Sequence, residues 1–400
     1  MRIVLITSKL KFEDNGSPVG GSVVDLHLKA RGLVELGHEV SVVTAFSNED
    51  RIPRALPYTV FQRKIKKRGL LSLQFGVHAF LKEFESRADV FYIDGHMFLY
   101  GGGAYRLLGG NVPVAGFFNV RLNLWADASG NTLRPPLLKR LKKSLRFLIE
   151  RWIGVPIAKH LDAFIFNTPH VQSMYRDFGI GRDKENNTVI EDFIATREIM
   201  GRFGITKEGV KTHQENPERI TLLATGRMLP EKGFELLVRA LSKVKEAKKF
   251  RVILSGGGPD KERLGALARD LGLSETIEFP GWVEKETLYQ FFKEAHVFVF
   301  PRWWIEYGSA VLTEAMAFGL PSVIPGGGAL EWLTSGSALT FTNENVDELA
   351  RRIEELGTNA DLRKTLAEKA LARAEALDAK VLAKRLEHTL LLCREPLMPR

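Results

Sequence analysis

The sequence predicts an α/β protein of two doubly wound, Rossmann-like domains, and three observations carry that expectation. Its 400 residues exceed what one hydrophobic core ordinarily serves, since domains split beyond roughly 250 to 300 residues. Short apolar runs alternate with helical patterns from the first residues onward, as in strand-helix-strand units that build a parallel sheet. The alternation breaks once, in a polar, glycine-containing stretch at 196–219, and restarts at Ile220. The expected organisation is therefore an N-terminal domain at 1–195, a connection with a short helix at 196–219, a C-terminal domain at 220–377, and a last helix within 378–400.

The elements follow in order. Arg2–Thr7 is a run of apolar residues that reads as a buried strand, followed by a polar loop at 8–21. Ser22 is placed to cap a helix through Leu36, Gly37 ends it, and Glu39–Thr44 reads as the next strand. This opening raises a dinucleotide-binding dehydrogenase as one enzyme class. Two features oppose it: Gly20 and Gly21 lie in a long loop far from the strand, and no acidic residue directly ends the second strand to hold a ribose. Further strands are expected at Val90–Asp94, 112–118, 163–167 and 188–194. After Ile220–Thr225 and 250–254, a fourth strand-like segment ends in Phe279-Pro-Gly-Trp-Val283, and another apolar run spans 296–300. Beyond Asn345 the chain is mainly helical, at 346–356, 360–377 and 380–392, the last with Val381, Leu382, Leu386, Leu390 and Leu391 as its apolar face.

Composition bounds the setting. With 44% hydrophobic and 26% charged residues the chain is that of an ordinary globular protein. Cys393 is its single cysteine, so no internal disulfide can form, which suits a reducing cytoplasm. The opening run is too short for a signal-peptide core, and no apolar run approaches membrane-spanning length. The net charge of +9 attracts polyanions, whether nucleic acid, an anionic membrane surface or phosphorylated small molecules. No zinc-ligand spacing or other recognisable nucleic-acid motif is present, which disfavours the first. In 137–153, Leu138, Leu141, Leu145, Leu148, Ile149 and Trp152 recur at helical spacing with Lys139, Lys142, Lys143 and Arg146 interleaved. Such a helix suits the inner face of an anionic membrane, or packs its apolar side within the N-terminal domain.

The chemistry concentrates in the second half. Ile220–Thr225 runs directly into Gly226-Arg-Met-Leu-Pro-Glu-Lys-Gly233, which sets two cations, Arg227 and Lys232, where strand becomes helix. The strand at 250–254 leads into Ser255-Gly-Gly-Gly-Pro-Asp260. The run at 296–300 leads into Arg302-Trp-Trp-Ile-Glu-Tyr-Gly-Ser309, where Ser309 is a good N-cap for a helix ending near Gly319-Leu-Pro321. Glu306 and Glu314, with seven residues between them, then border helix N-termini that offer unpaired N–H groups to an anion.

In this order and spacing, G-R-x4-K-G, the G-G-G-P turn, the P-G-W-V segment and E-x7-E resemble the donor half of the retaining nucleotide-sugar glycosyltransferases with the GT-B fold. That large family contains bacterial glycogen synthases, sucrose synthases and many cell-envelope glycosyltransferases. The resemblance implies two Rossmann-like domains facing across a cleft, an N-terminal acceptor domain, a C-terminal donor domain, and a last helix crossing back to the N-terminal domain. It implies a UDP- or GDP-sugar as substrate, no cofactor, and a hydroxyl acceptor on a glycan, a lipid-linked carbohydrate or a small molecule. It further implies that Arg227 and Lys232 contact the donor diphosphate, that Glu314 accepts from the ribose hydroxyls, that Glu306 lies by the transferred sugar, and that Trp282 and Val283 meet the base. Gly226, Gly257, Gly258, Gly308 and Ser309 would border the donor, and Gly20 and Gly21 match the family's glycine loop near diphosphate and sugar.

Two places depart from the family. Tyr307-Gly308-Ser309 stands where many members have Pro-Phe-Gly, and Asn119 stands where many have a histidine. His96, in Asp94-Gly-His96, is the nearest histidine candidate, with Asp94 a weaker one. No D-x-D and no His/Cys cluster of metal-ligand spacing occurs, consistent with metal-independent transfer. A front-face retaining mechanism, in which a donor phosphate oxygen helps to deprotonate the acceptor, needs no enzymic base. Two other functions compete: a nucleotide-sugar epimerase of related fold, which needs no acceptor, and a non-catalytic partner subunit.

Overall fold

A computed structural model describes residues 1–13, 16–47, 52–65, 70–95, 98–119, 144–145, 147–181, 187–215, 217–301 and 307–394. They fall into two compact units: one holds the described residues up to Ile194 together with those from Ala379 onward, and the other those of Ala195–Asp378.

The first unit is an eight-stranded sheet of β1 (Arg2–Thr7), β2 (Glu39–Thr44), β3 (Phe46–Ser47), β4 (Thr59–Lys64), β5 (Val90–Asp94), β6 (Val114–Phe118), β7 (Ala163–Phe166) and β8 (Asn187–Val189). Their order is β3-β4-β2-β1-β5-β6-β7-β8, parallel except for the β3–β4 pair. Ile3, Val4, Leu5 and Ile6 are buried, as a central parallel strand covered on both faces requires. The first helix begins at Gly21, two residues before the start that a Ser22 cap implies, with Gly20 rather than Ser22 in the N-cap position. Gly20 has φ 94°, a conformation that glycine adopts without the penalty of a Cβ. The last expected strand is cut to Asn187–Val189, because the chain turns off the ladder where the Phe193 N–H donates to Asp25 Oδ1 at 2.7 Å.

The C-terminal helix, Ala379–Leu392, packs on Gly21–Glu35 within this unit. Gly32 permits the approach, since a Cβ there would lie 2.7 Å from the Ala383 Cβ. The His38–Glu387 pair at 2.8 Å and the Arg385–Glu191 pair at 3.0 Å flank the contact. Leu382, Leu386 and Leu390 are buried as expected, but Leu391 is 42% exposed. The buried face follows the 379, 382, 383, 386, 390 spacing and so includes two alanines that the sequence did not single out.

The second unit contains β9 (Ile220–Thr225), β10 (Phe250–Ser255), β11 (Ile277–Gly281), β12 (Val297–Val299), β13 (Ser322–Pro325) and β14 (Ala338–Phe341). The order is β11-β10-β9-β12-β13-β14 and every pairing is parallel. The stretch 196–219 is more structured than the expected connection. It carries two helices, Thr196–Phe203 and Lys207–Gln214, that belong to this unit. Val210 anchors the second of them against Ala367 and Leu371, and Arg363 donates to the Gln214 carbonyl at 2.9 Å. In each sheet the strand order reverses beside the first strand, between β1 and β5 and between β9 and β12. Connections there diverge to opposite faces and open a crevice at the carboxyl ends of the strands, where open α/β sheets bind ligands.

Candidate functional site

The crevice of the second unit is walled by three loops laced through their backbones. After β9 and β10, Gly226 N donates to the Ser255 carbonyl at 3.1 Å and Met228 N to the Gly257 carbonyl at 2.8 Å. After β11, the Gly281 carbonyl accepts from Gly256 N at 2.7 Å. The approach is so close that a Cβ on Gly256 would sit 1.9 Å from the Gly226 oxygen, and one on Gly258 2.4 Å from the Met228 oxygen. Gly226, Gly256 and Gly258 all have positive φ. Gly257 does not, and a Cβ there would meet only the Trp282 Cβ, at 3.8 Å. Trp282 projects its ring into solvent at 76% exposure, with Val283 half-buried beside it.

Arg227 leaves this loop exposed and has no ion-pair partner among the described residues. Lys232 closes a single 3₁₀ turn, Pro230–Lys232, and is half-buried. Gly233, at φ 71°, then redirects the chain into the helix Phe234–Leu241. The turn thus brings both cations to the carboxyl end of β9, beside the point where the strand order reverses. A third cation was missed by the sequence reading. Lys261, first residue of the helix after the G-G-G-P turn, holds its Nζ 3.1 Å from where a Gly281 Cβ would be. Its position at a helix start was visible, but not its approach to the β11 loop.

After β12 the chain passes through 302–306, which lie outside the described residues and include Glu306 and the Arg302-Trp303-Trp304 run. It re-enters at Tyr307 and Gly308, both half-buried. Ser309 caps the helix Ala310–Ala317 as expected, its hydroxyl accepting from Leu312 N at 3.3 Å. Glu314 lies within that helix and is 7% exposed. Its Oε1 accepts from Lys285 Nζ at 2.5 Å and from the Tyr289 hydroxyl at 3.3 Å, while Oε2 takes no hydrogen bond from a described residue. Burial, and then the Glu314 charge, push the Tyr289 hydroxyl far above its ordinary pKa, so it remains a neutral donor. Lys285 and Tyr289 share one face of Lys285–Glu294 and were not anticipated. Their spacing of four was readable, whereas their partner 29 and 25 positions away was not.

In the first unit, Gly20 and Gly21 stand at the N-terminus of the first helix, with open space where a Cβ would be. His96 lies outside the described residues, and Asn119 is half-buried just after β6. Asp94 ends β5 at the switch point and is buried in a charged cluster. Lys29 Nζ is 2.5 Å from Asp25 Oδ2 and 3.6 Å from the centre of the Phe117 ring. Asp94 and Asp192 are each pushed up to about 7, mainly by burial, with Asp25 adding repulsion and Lys29 opposing.

Comparison with known proteins agrees with this geometry. The family described as Glycosyltransferase Family 4 matches residues 19–196, and Glycosyl transferases group 1 matches 206–373. The lipopolysaccharide core biosynthesis glycosyltransferase LpsE of Rhizobium meliloti is 26% identical over 213 residues, covering 53% of this chain and 58% of LpsE. A GDP-mannose-dependent alpha-(1-6)-phosphatidylinositol monomannoside mannosyltransferase of Mycobacterium tuberculosis is 32% identical over 154 residues, covering 36% of this chain and 40% of the relative. The chain thus spans well under two thirds of these relatives. In fold, the Anabaena protein HepE, crystallised with UDP, matches with a TM-score of 0.68 at 18% identity, over 98% of this chain and 100% of HepE. With both halves matched in order and the two parallel sheets in place, the chain belongs to the glycosyltransferases with the GT-B fold.

Proposed function

We propose that the protein is a retaining, metal-independent glycosyltransferase that moves a sugar from a UDP- or GDP-sugar to a hydroxyl of a glycan or a lipid-linked carbohydrate. The observation that carries the proposal is the pairing of Arg227 and Lys232 at the carboxyl end of β9, at the switch point of the second unit. In transfer, the bond from the sugar's anomeric carbon to the β-phosphate oxygen breaks with its electrons staying on the diphosphate. The acceptor oxygen forms the new bond on the same face, and its proton passes to a diphosphate oxygen. Negative charge therefore grows on the leaving group, and two fixed cations with the N–H groups of nearby helix N-termini are suited to stabilise it.

Glu314 is already oriented by Lys285 and Tyr289 and keeps Oε2 for the ribose hydroxyls. Exposed Trp282 offers an aromatic face to the base. Glu306, eight positions before a helix-borne ribose ligand, is assigned to the sugar. The first unit is assigned the acceptor, with Gly20 and Gly21 toward donor phosphate and sugar. Asp94 or His96 would stand on the acceptor side. The names of the two relatives, one for a lipopolysaccharide core and one for a phosphatidylinositol mannoside, favour a carbohydrate carried on a lipid.

The test is a mass-spectrometric screen of UDP- and GDP-sugars with glycan and glycolipid acceptors, with and without EDTA. The expected result is an acceptor-dependent product whose anomeric configuration matches the donor and whose yield EDTA leaves unchanged. Conversion of donor without acceptor would instead support an epimerase, and no turnover with retained nucleotide binding a non-catalytic subunit.

A further inference from the structure

Lys261 opens the helix Lys261–Asp270, is half-buried, and makes no hydrogen bond or ion pair with a described residue. Its neighbour Asp260 is held by Arg263 at 2.8 Å, and Arg263 also takes Glu235 at 2.6 Å. The local carboxylates are therefore spent on the arginine. A partly buried ammonium without a counter-charge carries a desolvation cost that a ligand can offset.

The lysine reaches toward the loop after β11. Its Nζ lies 3.1 Å from where a Gly281 Cβ would be, so it fills the space that a side chain at 281 would need. Immediately beyond Gly281 the loop has polar backbone to spare. The N–H groups of Trp282 and Val283 and the Val283 carbonyl make no hydrogen bond with a described residue. The Trp282 ring stands beside them at 76% exposure.

An N–H and a C=O side by side do not select among bases. Uracil, guanine and adenine each present an adjacent acceptor and donor, O4 with N3–H, O6 with N1–H, and N1 with the 6-amino group. A cation beside that edge breaks the tie, because an ammonium can only donate. It finds an acceptor in O4 of uracil or O6 of guanine, whereas the 6-amino group of adenine meets it donor against donor. Discrimination by an unpaired polar group is stronger than discrimination by shape alone.

We propose that Lys261 is the specificity-determining residue for the donor base, its ammonium donating to the exocyclic carbonyl of uracil or guanine and turning away adenine. The inference rests on the donor-site reading above, in which Trp282 and Val283 meet the base. It places the choice of base on the helix after β10 rather than on the loop that carries the tryptophan.

The test is calorimetric titration of the full chain with UDP, GDP and ADP. The better bound of UDP and GDP should exceed ADP in affinity by about tenfold or more, as a hydrogen bond to a charged group allows. Lys261→Met should weaken that nucleotide about tenfold and leave ADP within about twofold of its parental affinity. Lys261→Arg, which keeps a cationic donor, should retain the preference. Thermal melts check folding, and if Lys261→Met does not fold, Lys261→Gln is read in its place. Binding of none of the three nucleotides by the parent overturns the donor-site reading and this inference with it. Three outcomes overturn the inference alone: ADP binding as tightly as the better of UDP and GDP, unchanged affinities in the folded variant, or an equal loss for all three nucleotides, which would assign Lys261 to the diphosphate.

Discussion

Alanine at Gly256 should unfold the crevice, and alanine at Gly257, its neighbour in the same glycine run, should not. A Cβ at 256 lands 1.9 Å from the Gly226 carbonyl oxygen, a backbone atom of a residue whose own N–H is tied to the Ser255 carbonyl. The clash cannot be relieved by a side-chain rotation, so the β9 and β10 loops must part. Forcing a non-glycine residue to φ +132° costs about 1–3 kcal/mol. Displacing a packed neighbour costs about 1–3 kcal/mol more, and each lost hydrogen bond about 1 kcal/mol. The sum, about 3–7 kcal/mol, is a large part of the 5–15 kcal/mol typical of a folded domain. For a domain of this size it corresponds to a melting-temperature loss of roughly 6–28 °C. At 257 the nearest atom is 3.8 Å away and φ is ordinary, so alanine there should change stability by less than about 0.5 kcal/mol. Urea unfolding and thermal melts of both variants provide the comparison. A Gly256→Ala protein as stable as the parent would refute the interlaced-loop geometry, and equal losses at both positions would refute its specificity.

Other outcomes follow from the site. Arg227→Ala and Lys232→Ala should each lower kcat by about 10²-fold, because each removes a cation facing charge that grows in the transition state; steady-state kinetics on folded variants decides. Glu314→Ala should raise KM more than it lowers kcat, since a ribose contact is alike in ground and transition states. Lys285→Ala should do the same more weakly, because the lysine is 55% exposed and such pairs are worth at most about 1 kcal/mol. Glu306→Gln should impair transfer while calorimetry still finds nucleoside diphosphate binding. The raised carboxyls of Asp94 and Asp192 set a pH dependence. Folding raises their pKa from the ordinary value near 4 to about 7, so the native state holds protons that the unfolded chain has released. Stability therefore falls as pH rises from about 4 to about 7. Asp94→Asn should flatten that slope in urea midpoints taken across the range, and an unchanged slope would contradict the buried-cluster account.

Much of this architecture was legible because central parallel strands are buried on both faces and read as unbroken apolar runs, as Arg2–Thr7, Ile220–Thr225 and 250–254 do. The second unit was legible for a further reason: glycine and cation follow the strand end within a few residues in Gly226–Gly233 and Ser255–Lys261. Features depending on distant partners were not. Nothing near Glu314 in sequence announces Lys285 and Tyr289, and nothing within Gly256-Gly257-Gly258 distinguishes the outer positions, which face the Gly226 and Met228 carbonyls, from the tolerant middle one. β4 escaped because its apolar residues are only partly covered, and the helix Leu70–Phe84 escaped although Leu73, Val77, Leu81 and Phe84 are buried at helical spacing. The two helices at 196–214 were read as one short helix because a few anchors, among them Ile199, Phe203 and Val210, carry their burial in otherwise polar sequence. Ser22 looked like a cap, yet the chain turns at Gly20, where the backbone conformation outweighs a side-chain hydrogen bond.

The claim that Arg227 and Lys232 hold the donor diphosphate is tested most directly by calorimetric titration of the intact chain with UDP and with GDP. One of the two nucleotides should bind one to one, and Arg227→Ala and Lys232→Ala should each weaken it at least tenfold, or about 1.4 kcal/mol, with thermal melts unchanged. Binding at parental affinity in both folded variants would place the diphosphate elsewhere and contradict the account.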